Sequence, residues 1–107
     1  MEKFGADTIK VYHKPLIPLE WFISESRSHL QGFTQIIVAK SNVKVVGMYF
    51  LGPSAGEVMQ GCGTAMKKGI TFIHVEDTVG VHTTPEEESV TSCVTKSSGK
   101  NSAVGGC

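Results

Sequence analysis

Residues 81–90 read VHTTPEEESV, placing His82 five positions before Glu87. An imidazole backed by a carboxylate is a proton-transfer device. The carboxylate holds one tautomer and raises the basicity of the far ring nitrogen, which suits acid–base work near neutral pH. The same ten residues also meet the requirements of a helix start. Thr84 can cap the helix, Pro85 can occupy its first position, and Glu87 stands where a capping box needs a carboxylate. Glu86 and Glu88 add negative charge at the positive end of the helix dipole. Capping accounts for every residue here except His82, and a histidine on such a connector is ordinarily a polar surface group. Spacing alone leaves both readings open.

Thiols are the second group able to do chemistry. Cys62, Cys93 and Cys107 are odd in number and widely spaced, which makes neither a disulfide framework nor a zinc site. A reducing compartment suits that usage, with Cys62 and Cys93 as buried thiols packed on helix faces rather than redox partners. His13, His29 and His74 show no metal-ligand spacing and read as surface or packing residues. Trp21, close to Pro15 and Pro18, reads as a core or dimer contact rather than a substrate platform.

The elements that must position these groups change character along the chain. Residues 8–12 alternate and carry β-branched side chains, so they are predicted to form a short strand. Pro15 and Pro18 punctuate the next stretch, and residues 19–23 (LEWFI) are predicted as a second strand before a polar, turn-like stretch to residue 32. Residues 33–40 (FTQIIVAK) and 43–51 (VKVVGMYFL) flank Ser41-Asn42 and predict a hairpin. Helical spacing then takes over. Ser54 and Glu57 make a capping-box pattern, Lys67-Lys68 suit the negative end of the helix dipole, and Gly69 suits the terminating position, predicting a helix over 54–68. Thr71 can cap a second helix over 71–76, and a third is predicted over 85–96. Residues 97–107 (SSGKNSAVGGC) hold little to bury and read as a mobile tail. Strands first and helices afterwards predict an α+β fold with an antiparallel sheet.

Length and composition exclude several classes of function. The chain has 107 residues, enough for one domain with a real core and too few for two cofactor-binding domains. Ten basic residues balance ten acidic ones, so no overall field favours nucleic acid or an acidic membrane surface. The longest apolar runs are far too short to span a bilayer, and no signal-peptide pattern comes after Met1. The chain contains no GxGxxG fingerprint and no CxxxxC redox pair.

PLEW (18–21), VVGMYFLGPSAGEVMQG (45–61), the TVGVH connector (78–82) and VTKSSG (94–99) occur in that order. In this combination the whole chain resembles the C-terminal interface domain of the large thioredoxin reductases and thioredoxin glutathione reductases, within the pyridine nucleotide–disulfide oxidoreductases. The resemblance implies residues 1–96 as an interface or dimerisation domain and 97–107 as a truncated redox tail. It implies a catalytic role for His82, which would take a proton from an attacking thiol and return it to a leaving thiolate, with Glu87 orienting its ring. The family's glycine-rich redox tail falls on Gly105-Gly106-Cys107, which makes Cys107 a catalytic thiol. The resembling enzymes continue there with selenocysteine and glycine, so a UGA codon after Cys107 is the expectation, with a true terminal cysteine or a lost continuation as the alternatives.

The resemblance further implies a homodimer, with FAD and NADPH in a full-length parent and none bound by this chain alone. Thioredoxin, and glutathione disulfide where the parent is a thioredoxin glutathione reductase, would be the substrates, with no nucleic-acid or membrane partner. The expected location is cytoplasmic, with a mitochondrial parent as the second option. One departure stands out: the family places proline directly after its histidine, whereas Thr83 comes after His82 and the proline is displaced to Pro85. The alternative from a different class is a stand-alone dimerisation or scaffold module without chemistry of its own.

Overall fold

A computed structural model describes residues 5–23, 26, 31–82, 84–85 and 87–90. After a short 3₁₀ turn (Ala6–Thr8), strand β1 runs Ile9–Leu16 and helix α1 runs Leu19–Phe22. Strands β2 (Gly32–Ala39) and β3 (Val45–Leu51) come next. Helices α2 (Ala55–Lys68), α3 (Phe72–Glu76) and α4 (Glu87–Val90) complete the described chain. The strands form one antiparallel sheet in the order β1-β2-β3. This is the expected α+β arrangement, with three strands rather than four among the described residues.

Two differences from the sequence-based expectation lie before β2. β1 does not stop ahead of Pro15 but continues through it to Leu16, with Pro15 opposite Phe33. β1 lies at the edge of the sheet, where a proline can face away from the ladder without losing a bond. LEWF, predicted as a strand, is the helix α1. Its start is set by Pro18, whose carbonyl accepts the Trp21 N–H at 2.9 Å. Leu and Glu are strong helix formers, and residues 19–22 hold no β-branched side chain to oppose a helical turn.

The β2–β3 hairpin forms as expected. Ala39 N–H donates to the Lys44 carbonyl at 2.9 Å, and the Asn42 side-chain oxygen accepts from Lys44 N–H at 3.1 Å. Tyr12, Ile36 and Met48 lie directly across from one another on the face turned to the helices. Lys14, Thr34 and Phe50 form the next row on that face. Ile36 is fully buried, and Val38, Val45, Phe72, Val75 and Tyr12 close the core around it, with Met48, Met66 and Ile70 packed against them. The rings of Tyr12 and Phe72 stack at 4.0 Å, so α3 is pinned to the edge strand.

Helix α2 ends as its sequence predicts and begins differently. Gly69 takes the left-handed conformation (φ 84°) and its N–H closes on the Met66 carbonyl at 2.9 Å. At the other end Ser54 is itself left-handed (φ 55°, ψ 25°) and makes no side-chain cap. A capping hydroxyl reaches the first-turn N–H groups from an extended backbone, so the expected Ser54–Glu57 capping box does not form. The turn between α2 and α3 is tied to the hairpin by Val45 N–H on the Ile70 carbonyl at 3.0 Å and Phe72 N–H on the Val43 carbonyl at 2.8 Å. Helix α3 is capped by Thr71 as expected, and His74 completes the cap as a capping box. The Thr71 hydroxyl accepts the His74 N–H, and His74 Nδ1 accepts the Thr71 N–H at 3.1 Å.

Candidate acid–base site

The site is built on the connector between α3 and α4. Phe72 and Val75 bury one side of α3, and the helix closes with the Asp77 N–H on the Ile73 carbonyl and the Thr78 hydroxyl on the His74 carbonyl at 2.7 Å. The chain then runs exposed through Val79 and Val81 to His82. Two successive turns redirect it. Thr84 donates both its N–H (3.1 Å) and its hydroxyl (2.7 Å) to the Val81 carbonyl, and Glu87 N–H donates to the Thr84 carbonyl at 3.2 Å. Thr84 was expected as the N-cap and Pro85 as the first helical residue. Instead the hydroxyl reaches back to Val81 and α4 begins at Glu87. A capping hydroxyl must be aimed to accept a first-turn N–H, and the Thr84 hydroxyl is instead turned back onto the Val81 carbonyl.

These turns bring His82 and Glu87 together. His82 Nδ1 lies 3.1 Å from Glu87 Oε2. An ionised carboxylate only accepts, so the ring must carry its hydrogen on Nδ1, which leaves Nε2 of the neutral ring as the basic atom. The His82 side chain is 68% exposed and that of Glu87 32%. An exposed pair of this kind contributes on the order of 0–1 kcal/mol to stability, so its consequence is the orientation of the ring rather than the strength of the fold.

The other candidate residues fall apart from this pair. His74 serves the cap of α3, a role the Thr71-x-x-His74 spacing could have signalled, since histidine stands at the capping-box position. His13 lies on β1 with its ring tilted against Phe33. Cys62 is a half-buried thiol on α2, bordering an open apolar recess of about 360 Å³ that Glu87 also lines. Trp21 is half-buried on α1. His29, Cys93, Cys107, residues 91–96 of the expected third helix and the expected tail (97–107) lie outside the described residues. Among the described residues no cluster of histidine, cysteine or carboxylate side chains could hold a metal, and no helix is long and apolar enough to cross a membrane.

One contact had no signal in the sequence. Thr34 on β2 and Ser89 on α4, 55 positions apart, share a buried hydrogen bond of 2.9 Å. It ties the helix that begins at Glu87 to the centre of the sheet.

Comparison with known proteins agrees with this architecture. Residues 1–93 match the family described as the pyridine nucleotide-disulphide oxidoreductase dimerisation domain. The chain is 38% identical over 103 residues to thioredoxin reductase SEP1 of Emiliania huxleyi, covering 96% of this chain and 21% of that protein. It is 35% identical over 107 residues to mitochondrial thioredoxin reductase 2 of Drosophila melanogaster, covering all of this chain and 21% of that one. The chain therefore spans about a fifth of the length of these relatives. An antiparallel sheet followed by helices, matched over residues 1–93, shows that the chain belongs to the pyridine nucleotide-disulphide oxidoreductases as a dimerisation domain.

Proposed function

We propose that this chain works as the dimerisation-domain part of a flavin-dependent, NADPH-using thioredoxin or thioredoxin glutathione reductase. Residues 1–96 supply the interface and the His82–Glu87 acid–base pair, and residues 97–107 form a tail whose Cys107 thiol is one half of a redox pair. The observation that carries this reading is the 3.1 Å contact between His82 Nδ1 and Glu87 Oε2 on an exposed connector. The names of the two relatives, both thioredoxin reductases, support thioredoxin as the substrate. Glutathione disulfide joins it where the parent is a thioredoxin glutathione reductase. The proposed compartment is the cytoplasm, with the mitochondrion, where the Drosophila relative is named, as the second.

FAD and NADPH would be held elsewhere in the parent. Every strand pairing among the described residues is antiparallel, so they offer no strand-to-helix crossover of the kind that seats a dinucleotide pyrophosphate. What this chain contributes is proton movement. Glu87 holds the Nδ1–H of His82, and Nε2 accepts the proton of an attacking thiol. The resulting thiolate attacks one sulfur of a disulfide, forming a new S–S bond as the old one breaks. The displaced sulfur leaves as a thiolate and collects the proton from Nε2. The ring returns to its starting state.

The pair also gives a graded expectation. In the full-length reductase, Glu87→Gln should lower turnover with disulfide substrate by a smaller factor than removal of the histidine ring, because the amide oxygen can still accept from Nδ1–H. Steady-state kinetics check this, and a Glu87→Gln loss as large as that of removing the ring, or unchanged turnover in Glu87→Ala, would contradict the orienting role.

Assembly supports the same reading. Tyr49 and Leu51 on β3, Ile73 on α3, and Val79 and Val81 on the connector are all large apolar side chains left exposed. Apolar surface of this extent in a dimerisation domain fits coverage by a second copy. Sedimentation of the 107-residue chain should show dimers or larger species at high concentration. A well-behaved monomer there would contradict the homodimer.

A further inference from the structure

We propose that the buried Thr34–Ser89 hydroxyl pair is a positioning device that sets the rotation of α4 and so brings Glu87 onto His82. The proposal rests on the acid–base reading above for its link to catalysis, but its geometric part stands on its own. Among the described residues, the buried polar side chains are Thr34, 1% exposed, and Ser89, 2% exposed. They satisfy one another at 2.9 Å. Thr34 faces the helices from the middle of β2, two residues from the fully buried Ile36.

The direction of the two side chains on α4 makes the link. Glu87 and Ser89 are the first and third residues of the helix, so they project about 200° apart around its axis. When Ser89 points into the sheet, Glu87 points away from it, toward the connector that carries His82. An apolar contact at position 89 would tolerate rotation of the helix, because dispersion has little directionality. A hydrogen bond between two hydroxyls in a dry core does not, since its strength falls steeply with angle and neither group has water as a substitute. The first turn of a helix is also where its boundary is least fixed, so a restraint two residues in from Glu87 acts where it is needed. Thr34 and Ser89 touch neither substrate nor His82, and act through the helix.

The test reads the tautomer of His82 by long-range ¹H–¹⁵N NMR of the 107-residue chain. The wild-type ring should carry its hydrogen on Nδ1. In Thr34→Val/Ser89→Ala, which removes both hydroxyls together and leaves neither orphaned, the Nδ1-bound hydrogen should be lost in favour of Nε2–H while amide dispersion stays native. If the double variant does not fold, Thr34→Val alone, which keeps the side-chain volume, carries the same readout. Thr34→Ser, which keeps the hydroxyl, should restore the Nδ1–H signature. An unchanged His82 tautomer in a folded variant lacking the hydroxyl pair would overturn the proposal. In the full-length reductase the same double variant should lower kcat on the order of ten- to a hundredfold with KM unchanged, as small displacements of a catalytic group do. A tautomer change with kcat unmoved would refute the acid–base reading and leave the positioning device established.

Discussion

Replacing His82 by alanine in the full-length reductase should lower disulfide reduction by about 10²–10⁴-fold, the usual consequence of losing a general acid–base. The loss should appear in turnover rather than in folding. His82 lies on an exposed connector and its side chain is 68% exposed, so its removal opens no cavity and leaves the core untouched. The matched control is His74→Ala. That residue closes the capping box of α3 from its third position while Thr71 keeps the cap itself, so its loss should cost about 0.3–1.5 kcal/mol of stability and leave turnover close to wild type. Steady-state rates with thioredoxin as substrate, read beside thermal melts of the same proteins, separate the two histidines. Unchanged turnover in His82→Ala would remove it from the mechanism.

The second large effect is on the fold itself. Phe72→Ala should destabilise the domain by about 3–5 kcal/mol, the range for emptying a buried aromatic site. Phe72 is 4% exposed, sits in the core with Ile36, Val38 and Val45, and stacks on Tyr12 at 4.0 Å. Domains of this size hold roughly 5–15 kcal/mol in total, so the variant would lose a large share of its stability. The neighbouring Ile73 is 52% exposed in the single chain, and at protein concentrations too low for two copies to pair its replacement by alanine should stay within about 0.5 kcal/mol. Urea denaturation of both variants checks the contrast. A Phe72→Ala midpoint close to that of Ile73→Ala would show that this is not the core.

Much of the frame was legible because local pattern and tertiary need coincide. In the β2–β3 hairpin, alternating β-branched residues meet turn residues at Ser41-Asn42, and Thr34, Ile36 and Val38 land together on the buried face as their parity predicts. Lys67, Lys68 and Gly69 end α2 for reasons confined to a few residues. Where the sequence misled, the missing information was not local. LEWF is too short for periodicity to separate strand from helix, and nothing in it says that no neighbouring strand waits to pair. Pro15 reads as a strand stop, yet it is tolerated because β1 is an edge, a property of the sheet rather than of the segment. Ser54 has the right side chain for a cap and the wrong backbone conformation.

The candidate site divides in the same way. The spacing of His82 and Glu87 raised the pairing, but it is closed by turns from Val81 to Thr84 and from Thr84 to Glu87, and the helix begins at Glu87, two residues later than expected. Thr34 and Ser89 carry no local mark at all, because a bond across 55 positions exists only after the sheet and α4 have met.

Rapid-mixing kinetics of the His82→Ala reductase test the central claim most directly, by timing reduction of the enzyme by NADPH separately from delivery of electrons to a disulfide substrate. If His82, held by Glu87, moves the proton of thiol–disulfide exchange, the first step should keep its wild-type rate and the second should slow by about 10²–10⁴-fold. A variant in which delivery to the disulfide keeps its wild-type rate, or in which both steps slow together, would contradict it.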